Sequence, residues 1–254
     1  DLVRSRGLGD VYKRQGESNQ REERFMSVLI EQMVKGVLIT PTSLKPAHIK
    51  ALKERGISVT LIDAPGKTSA ECSVSVNDVR GGEIAMEHLA SLNHTNIAWV
   101  CGPTTIPQAA DRCKGVAAAA KSLKLKISPI TTATMTFAAG EEAVEEFLAL
   151  ESRPTAIFCA NDLLALGMMR GLIARGVRIP DEVSIIGYDD IEFAPSAAVP
   201  LTSIAQPAYQ LGTVAAQLLL SECEGIETHA HQEVHFQPEL VVRNSCLLYT
   251  SDAA

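Results

Sequence analysis

The sequence has no long apolar run and no excess of basic residues. No apolar stretch approaches the length of a membrane-spanning helix, so nothing in it supports a transmembrane protein. The formal net charge is −7 over 254 residues, whereas a surface that binds nucleic acid needs a basic face. We therefore predict that this part of the protein contacts neither a membrane nor nucleic acid.

The sequence also lacks closely spaced cysteines, and no two of them form a CxxC motif. Zinc sites need clustered ligands, and a disulfide framework usually shows an even, patterned set. Scattered cysteines of this kind predict reduced, mostly buried thiols in a cytoplasmic protein, with no metal and no cofactor. They are Cys72, Cys101, Cys113, Cys159 and Cys223, while Cys246 belongs to a terminal segment treated below.

Enzyme motifs are missing as well. There is no phosphate-binding Walker A loop and no GxSxG nucleophile elbow, and no nucleophile stands beside an evident base. We predict that the protein is not an enzyme.

Three histidines, His229, His231 and His235, form a loose HxH-x3-H pattern. On a strand, the alternating spacing could place His229 and His231 on one face, as metal ligands require. The favoured alternative is a solvated loop, so no metal site is predicted.

The two ends of the chain fit none of the periodic patterns between them. Codons for Asp10–Gln15 and for Cys246–Ser251 can be written as opposite strands of one DNA word, a word that resembles the mosaic end used in transposase-based sequencing libraries. Residues 1–15 and 246–254 are therefore interpreted as adapter-derived and are not expected to take part in the fold. A genuine basic N-terminal arm is the alternative. The sequence between them is expected to be a fragment of a longer protein.

Between these ends, apolar runs of strand length alternate with segments of helical period. The runs are mostly continuous rather than alternating, which is typical of parallel strands covered by helices on both faces. The pattern predicts a doubly wound α/β fold. The predicted strands are 37–40, 57–63, 72–76, 96–102, 156–160, 183–190, 201–206 and 235–242.

Polar residues follow several of these strands. Ligands of such folds bind at the carboxyl ends of strands, so these residues are candidates for holding a polyhydroxylated or planar heterocyclic ligand. The alternatives are that Asn161 or Asp162 caps a helix, that Asp189 and Asp190 form a turn, and that Arg112 is solvated. The residues are Pro41-Thr42-Ser43, Asp111-Arg112, Asn161-Asp162, Asp189-Asp190 and Gln206.

The segments "GGEIAMEHLASLNHTNIAWVCGP" (81–103), "AIFCAND" (156–162), "VSIIGYDD" (183–190) and "PLTSIAQP" (200–207) closely resemble the LacI/GalR family of bacterial transcription regulators. The resemblance covers essentially all of 16–245. It implies a periplasmic-binding-protein-like type I fold of two doubly wound parallel-sheet subdomains joined by three crossovers.

The resemblance also implies a division of the chain. The N-subdomain is expected at 16–101 plus 207–228, without its first strand and helix. The C-subdomain is expected at 102–206 plus 229–245. The crossovers then lie near Cys101, near Gln206 and at 228–234, and the helix-turn-helix domain that contacts DNA is missing from the sequence.

Effector contacts are implied at the positions that match family motifs, and Asp78 matches only loosely. Met135 stands where many relatives have an aromatic residue, which leaves the ligand class open between a sugar and a nucleoside or purine. The implied effector-binding residues are Arg112, Asn161, Asp189, Gln206, Thr42, Ser43 and Met135.

The implied function is effector sensing and homodimerisation in a cytoplasmic LacI-type repressor. A small molecule, by default a sugar, would close the two subdomains and change how the full-length protein binds operator DNA. Replacing Arg112 or Asp189 by Ala is expected to abolish the effector response and leave the fold intact. The alternative is the periplasmic sugar-binding protein of an ABC importer, which shares the fold.

Overall fold

The computed structural model describes residues 29, 31–40, 46–64, 71–225, 229–247 and 249. The chain divides into a first unit, residues 1–76 and 207–236, and a second unit, residues 77–206 and 237–254. It therefore passes between the units three times. Among the described residues, no helix has both the length and the apolar character that crossing a bilayer would require.

The described elements alternate along the chain as expected for an α/β protein. They are β1 (Gly36–Ile39), α1 (Pro46–Lys53), β2 (Ser58–Ile62), β3 (Cys72–Val76), α2 (Asp78–Ser91), β4 (Asn96–Cys101), α3 (Pro107–Leu123), β5 (Lys126–Thr131), α4 (Phe137–Leu148), β6 (Ala156–Cys159), α5 (Asp162–Ile173), β7 (Ser184–Asp189), a 3₁₀ turn (Ala194–Ser196), β8 (Thr202–Ala205), α6 (Ala208–Glu224), β9 (Glu233–Phe236) and β10 (Glu239–Val241).

The first unit contains a four-stranded parallel sheet in the order β1-β2-β3-β9. Helix α6 packs across β1, β2 and β3. Its buried side chains Leu211, Ala215 and Leu218 meet Val74 and Val76 of β3. This burial of the apolar side of α6 holds the helix against the sheet.

The second unit contains a six-stranded sheet in the order β10-β8-β7-β6-β4-β5, parallel except for β10. Helices α2 and α3 pack against each other, as do α4 and α5. The rings of Trp99 on β4 and Phe158 on β6 lie 4.6 Å apart in the core. The continuous apolar strands confirm the predicted fold class, because such strands are covered on both faces.

Two helices of the second unit begin at asparagine caps. The Asn77 side chain accepts from Arg80 N at 3.0 Å, and the Asn161 side chain accepts from Leu164 N at 2.9 Å. Each cap satisfies a backbone N–H that the first helical turn leaves without a partner. These caps set where α2 and α5 start, directly beside the strand ends.

The chain crosses between the units at three positions, and only the crossover after Gln206 lies where the sequence predicts it. The first crossover lies between Val76 and Asn77, not near Cys101, because β4 pairs with β5 on one side and with β6 on the other. Strand β4 thus belongs to the second unit. The family motifs mark β4 as a strand but do not say which sheet it joins.

The third crossover lies between Phe236 and Gln237, not at 228–234. The predicted strand 235–242 is two strands, since β9 pairs with β3 in the first unit and β10 pairs with β8 in the second. Pro238, which has no backbone N–H, stands between them. Strand β5 was not predicted, because its sequence is not a continuous apolar run and contains Pro129. Most of its side chains are partly or fully exposed at the sheet edge.

Part of the segment interpreted as adapter-derived packs on the second unit. Ser245, which directly precedes this segment, is fully buried, and its carbonyl accepts from Ile185 N at 2.8 Å. Leu247 N donates to Ser184 Oγ at 3.0 Å, and Cys246 Sγ donates to Ile185 O at 3.3 Å. The expectation that residues from 246 onward take no part in the fold is therefore wrong for Cys246 and Leu247. Residues 1–15 lie outside the described residues.

Candidate functional site

The second unit buries an arginine at the carboxyl ends of its strands. Arg112 of α3 is only 4% exposed. Its Nε donates to Asp78 Oδ1 at 2.8 Å, and its Nη1 donates to Ala160 O at 2.5 Å. The guanidinium lies over the Tyr188 ring, with Cζ 3.6 Å from the ring centroid. The side chain is thus held in one orientation from three sides.

The charge of Arg112 is balanced by two carboxylates. One is Asp78, also buried, and the other is Asp189, whose Oδ1 lies 3.6 Å from Nη2. Burial lowers the pKa of Arg112, but the attraction of Asp78 and Asp189 outweighs burial and holds the pKa above its ordinary value. Arg112 is therefore not a solvated helix residue but a fixed, permanently charged donor.

Asp189 ends β7 and has an uncommon backbone conformation. Its φ is 105° and that of Asp190 is 51°, a left-handed pair that non-glycine residues seldom adopt. Gln206 Nε2 donates to Asp189 Oδ1 at 2.6 Å, and Arg243 Nη1 donates to Asp190 Oδ1 at 2.6 Å. These bonds hold the strained pair in place. The Asp189 side chain remains 31% exposed, so it can accept from a ligand.

Asn161 is both a helix cap and part of the strand-end surface. Its Oδ1 accepts from Leu164 N, and its Nδ2 donates to the Met135 carbonyl at 3.1 Å. The cap alternative considered from the sequence is thus correct. Met135 is half-buried and packs close to Gly102, where an added Cβ would lie 2.4 Å from Met135 Cγ.

Asp162, the residue after Asn161, is fully buried and anchors the loop that follows β7. It accepts from Ser203 Oγ at 2.7 Å and from Ile191 N at 2.8 Å. Burial raises the pKa of Asp162 to about 7, although both hydrogen bonds lower it. Its carboxylate fits there because Gly187 has no Cβ, which would lie 2.0 Å from Asp162 Oδ1.

The structure joins three of the sequence-predicted site residues in one network, Arg112, Asp189 and Gln206. Asn161 and Met135 are joined by a separate hydrogen bond. This bond adjoins the network because Ala160, whose carbonyl accepts from Arg112, directly precedes Asn161. Thr42 and Ser43 lie outside the described residues.

Two members of the network were not among the predicted effector contacts. Asp78 matches the family motif only loosely, and Tyr188 looks like an ordinary strand residue. Only their positions in the sequence indicate that they lie near the site, since Asp78 begins a helix and Tyr188 directly precedes Asp189.

Comparison with protein families gives a match to the model of the periplasmic binding protein-like domain over residues 86–246. Among curated proteins, the HTH-type transcriptional repressor PurR of Vibrio parahaemolyticus is 32% identical over 230 residues, which are 89% of this chain and 68% of that protein. The repressor CytR of Escherichia coli is 29% identical and matches over 89% of this chain and 67% of that protein.

Solved structures give the same result. A LacI family transcriptional regulator from Enterococcus faecium with bound ribose superposes with a TM-score of 0.84 at 29% identity, covering 89% of this chain and 85% of that one. The complex of the transcriptional regulator CelR with cellobiose superposes with a TM-score of 0.79 at 28% identity, covering 90% of this chain and 71% of that one.

Proposed function

Because the chain belongs to the LacI family of transcriptional regulators, we propose that its effector is a sugar, bound where the strands of the second unit end. The observation that carries this proposal is the connected network of Arg112, Asp189 and Gln206. Ligands of parallel α/β sheets bind at this edge, and the three side chains present both donors and acceptors there.

The chemistry of the network suits vicinal hydroxyl groups. The partly exposed Asp189 carboxylate accepts hydrogen bonds, Gln206 both donates and accepts, and Arg112 supplies fixed donors. Because hydrogen bonds already hold these groups, little side-chain entropy would be lost when a ligand binds. Two relatives carry ribose or cellobiose in their solved structures. A nucleoside presents the same ribose hydroxyls and is therefore the competing ligand in the test.

The regulatory step is proposed for the full-length protein. Effector and operator affinities are coupled by the same free energy in both directions, so an effector that changes operator binding must itself bind differently to the DNA-bound form. Homodimerisation remains a prediction from the family resemblance. This chain, with a net charge of −7, is not proposed to bind operator DNA by itself.

Isothermal titration of the chain with ribose, cellobiose, glucose and adenosine tests the proposal. We expect one of the sugars to bind, and Asp189→Asn to weaken binding by about 10-fold or more, because a charged acceptor of the ligand is lost. Gln206→Ala should weaken it as well. Glu192→Gln removes the same charge from an exposed residue of the same loop and should leave affinity unchanged.

Two results would contradict the sugar assignment. One is tight binding of adenosine with no binding of any sugar. The other is equal affinity in wild type and Asp189→Asn, provided that both retain the same circular dichroism spectrum.

A further inference from the structure

Four potential metal ligands converge in the first unit, whereas the residues of the effector network belong to the second. They are Cys72 on β3, Glu222 on α6, and His229 and His231 in the segment that leads into β9. One ligand atom from each lies within 4.8 Å of all the others. Cys72 is fully buried and Glu222 is 7% exposed, so the cluster reaches inward from the surface.

The two sulfur–nitrogen distances in the cluster are close to those in a tetrahedral zinc site. Cys72 Sγ lies 3.1 Å from His229 Nε2 and 3.8 Å from His231 Nδ1. Zinc bonds of about 2.3 Å to sulfur and about 2.0–2.1 Å to nitrogen, at a tetrahedral angle, place these atoms ~3.6 Å apart. The two imidazole rings are edge to face, 5.4 Å between centroids, so they do not stack on each other.

Neighbouring groups orient the ligands in the way that metal sites require. Ser221 Oγ lies 3.2 Å from His229 Nδ1, which turns the other ring nitrogen toward Cys72. The backbone N–H of Gln232 donates to Cys72 Sγ at 3.5 Å. Partners of this kind fix the imidazole tautomer and stabilise a thiolate.

Glu222 gives the strongest indication that the cluster binds a cation. Its Oε2 is buried and has no hydrogen-bond partner among the residues that the structure describes. A buried carboxylate is unfavourable unless it is paired, hydrogen-bonded or bound to a metal. A cation held between Glu222, Cys72 and the two histidines would supply the partner.

We propose that Cys72, Glu222, His229 and His231 bind one Zn²⁺ ion per chain. Thiolate, imidazole and carboxylate together are a ligand set that favours zinc over magnesium or calcium. The negative charges of the thiolate and the carboxylate match the charge of the ion. Binding would link β3, the end of α6 and the segment before β9, and so would stabilise the first unit.

His235 does not belong to the cluster, although the sequence groups it with the other two histidines. Its Nδ1 lies 2.8 Å from Ser75 Oγ, and its Nε2 lies 3.2 Å from Glu233 Oε1. His235 therefore provides a control on the same segment. Cys223, next to Glu222 on α6, provides a control thiol, since its Sγ contacts the Lys35 carbonyl at 3.6 Å.

The test uses the whole 254-residue chain without an affinity tag, stripped of metal with a chelator. Zn²⁺ is titrated in competition with a chromophoric chelator, and Co²⁺ is used as a spectroscopic substitute. We expect one ion per chain, a thiolate-to-cobalt charge-transfer band, and the strong visible absorption of tetrahedral cobalt. Zn²⁺ should also protect Cys72, but not Cys223, from alkylation.

Variants assign the ligands. Cys72→Ser and His231→Ala should each weaken Zn²⁺ binding by more than ~10-fold, and Cys72→Ser should also remove the charge-transfer band. Glu222→Gln removes the charge and keeps the shape, so it is informative if Cys72→Ser fails to fold. His235→Ala and Cys223→Ser should bind as wild type does.

Less than one ion per chain, a cobalt spectrum without the thiolate band, or equal loss in the control variants would overturn the proposal. The four side chains would then be a hydrogen-bonded thiol–imidazole cluster.

Discussion

The two units differ in the partners of their buried charged side chains. In the second unit the buried Arg112 is matched by Asp78 and Asp189, all from the same unit. In the first unit the buried carboxylate of Glu222 keeps one oxygen without a hydrogen-bond partner among the described residues, beside a thiol and two imidazoles. A charge that the chain itself compensates is part of the fold. The Glu222 oxygen without such a partner is the observation on which the proposed metal site rests.

In the second unit, charge compensation and the proposed ligand contact involve the same residues. Arg112 and Asp189 stabilise the strand ends of the six-stranded sheet, yet Asp189 remains accessible for a ligand. A variant at Arg112 is therefore expected to change mainly the free energy of unfolding, whereas a variant at Asp189 is expected to change mainly the affinity for the ligand. The three predictions below separate these contributions, in order of expected size.

Arg112→Ala should have the largest effect. It leaves Asp78 as an unpaired buried carboxylate, and breaking a buried ion pair in this way costs about 3–5 kcal/mol of unfolding free energy. Denaturant unfolding followed by the fluorescence of Trp99, the single tryptophan and part of the second unit, measures the loss. This outcome replaces the expectation from the family resemblance that Arg112→Ala leaves the fold intact.

Arg80→Ala is the matched control. Arg80 also contacts two carboxylates, Glu83 at 3.1 Å and Glu87 at 2.7 Å, but its side chain is 39% exposed. Solvent screens such pairs, so the variant should lose at most ~1 kcal/mol. Equal losses in the two variants would show that burial of Arg112 is not what matters.

Asp162 should make the second unit less stable as the pH rises. Burial raises its pKa from 3.8 to about 7, so between these values the folded state holds a proton that the unfolded state has lost. The contribution of Asp162 is therefore favourable at low pH, declines from about pH 4 to about pH 7 and is flat above that. Over this window we expect a decline of roughly 2–4 kcal/mol.

The measurement for Asp162 is the difference in unfolding free energy between wild type and Asp162→Asn at several pH values. Taking the difference removes the contribution of the other carboxylates. A constant difference for Asp162→Asn would mean that the carboxyl ionises at its ordinary pKa.

Two glycine-to-alanine variants should give the smallest effects, of opposite sign. A Cβ on Gly115 would lie 1.9 Å from the Val79 carbonyl, so α2 and α3 would have to separate, at about 1–3 kcal/mol. A Cβ on Gly212 of α6 meets no described heavy atom within 4 Å, and Ala should stabilise the helix by about 0.5–1 kcal/mol. Differential scanning calorimetry measures both, and the same sign for both would contradict this difference in packing.

The sequence predicted more of the second unit than of the first. The family assignment confirms the resemblance to LacI-type regulators, the fold class and the prediction that the protein is a regulator and not an enzyme. Asp189 and Gln206 could be placed from the sequence because a parallel strand brings the residues at its end to a known edge, whereas Arg112 lies within α3 and matches a family motif. Asp78 and Tyr188 could not, because they act through contacts with Arg112 that no spacing along the chain reveals.

The sequence by itself determined the elements and their class, because apolar period, caps and family motifs are local properties of neighbouring residues. Only the tertiary structure decided which sheet each strand joins, as the placement of β4 and the split between β9 and β10 show. It alone brought Cys72 to His229, which are far apart along the chain. Such contacts depend on strand order and helix packing, and these are settled only when the whole core is buried.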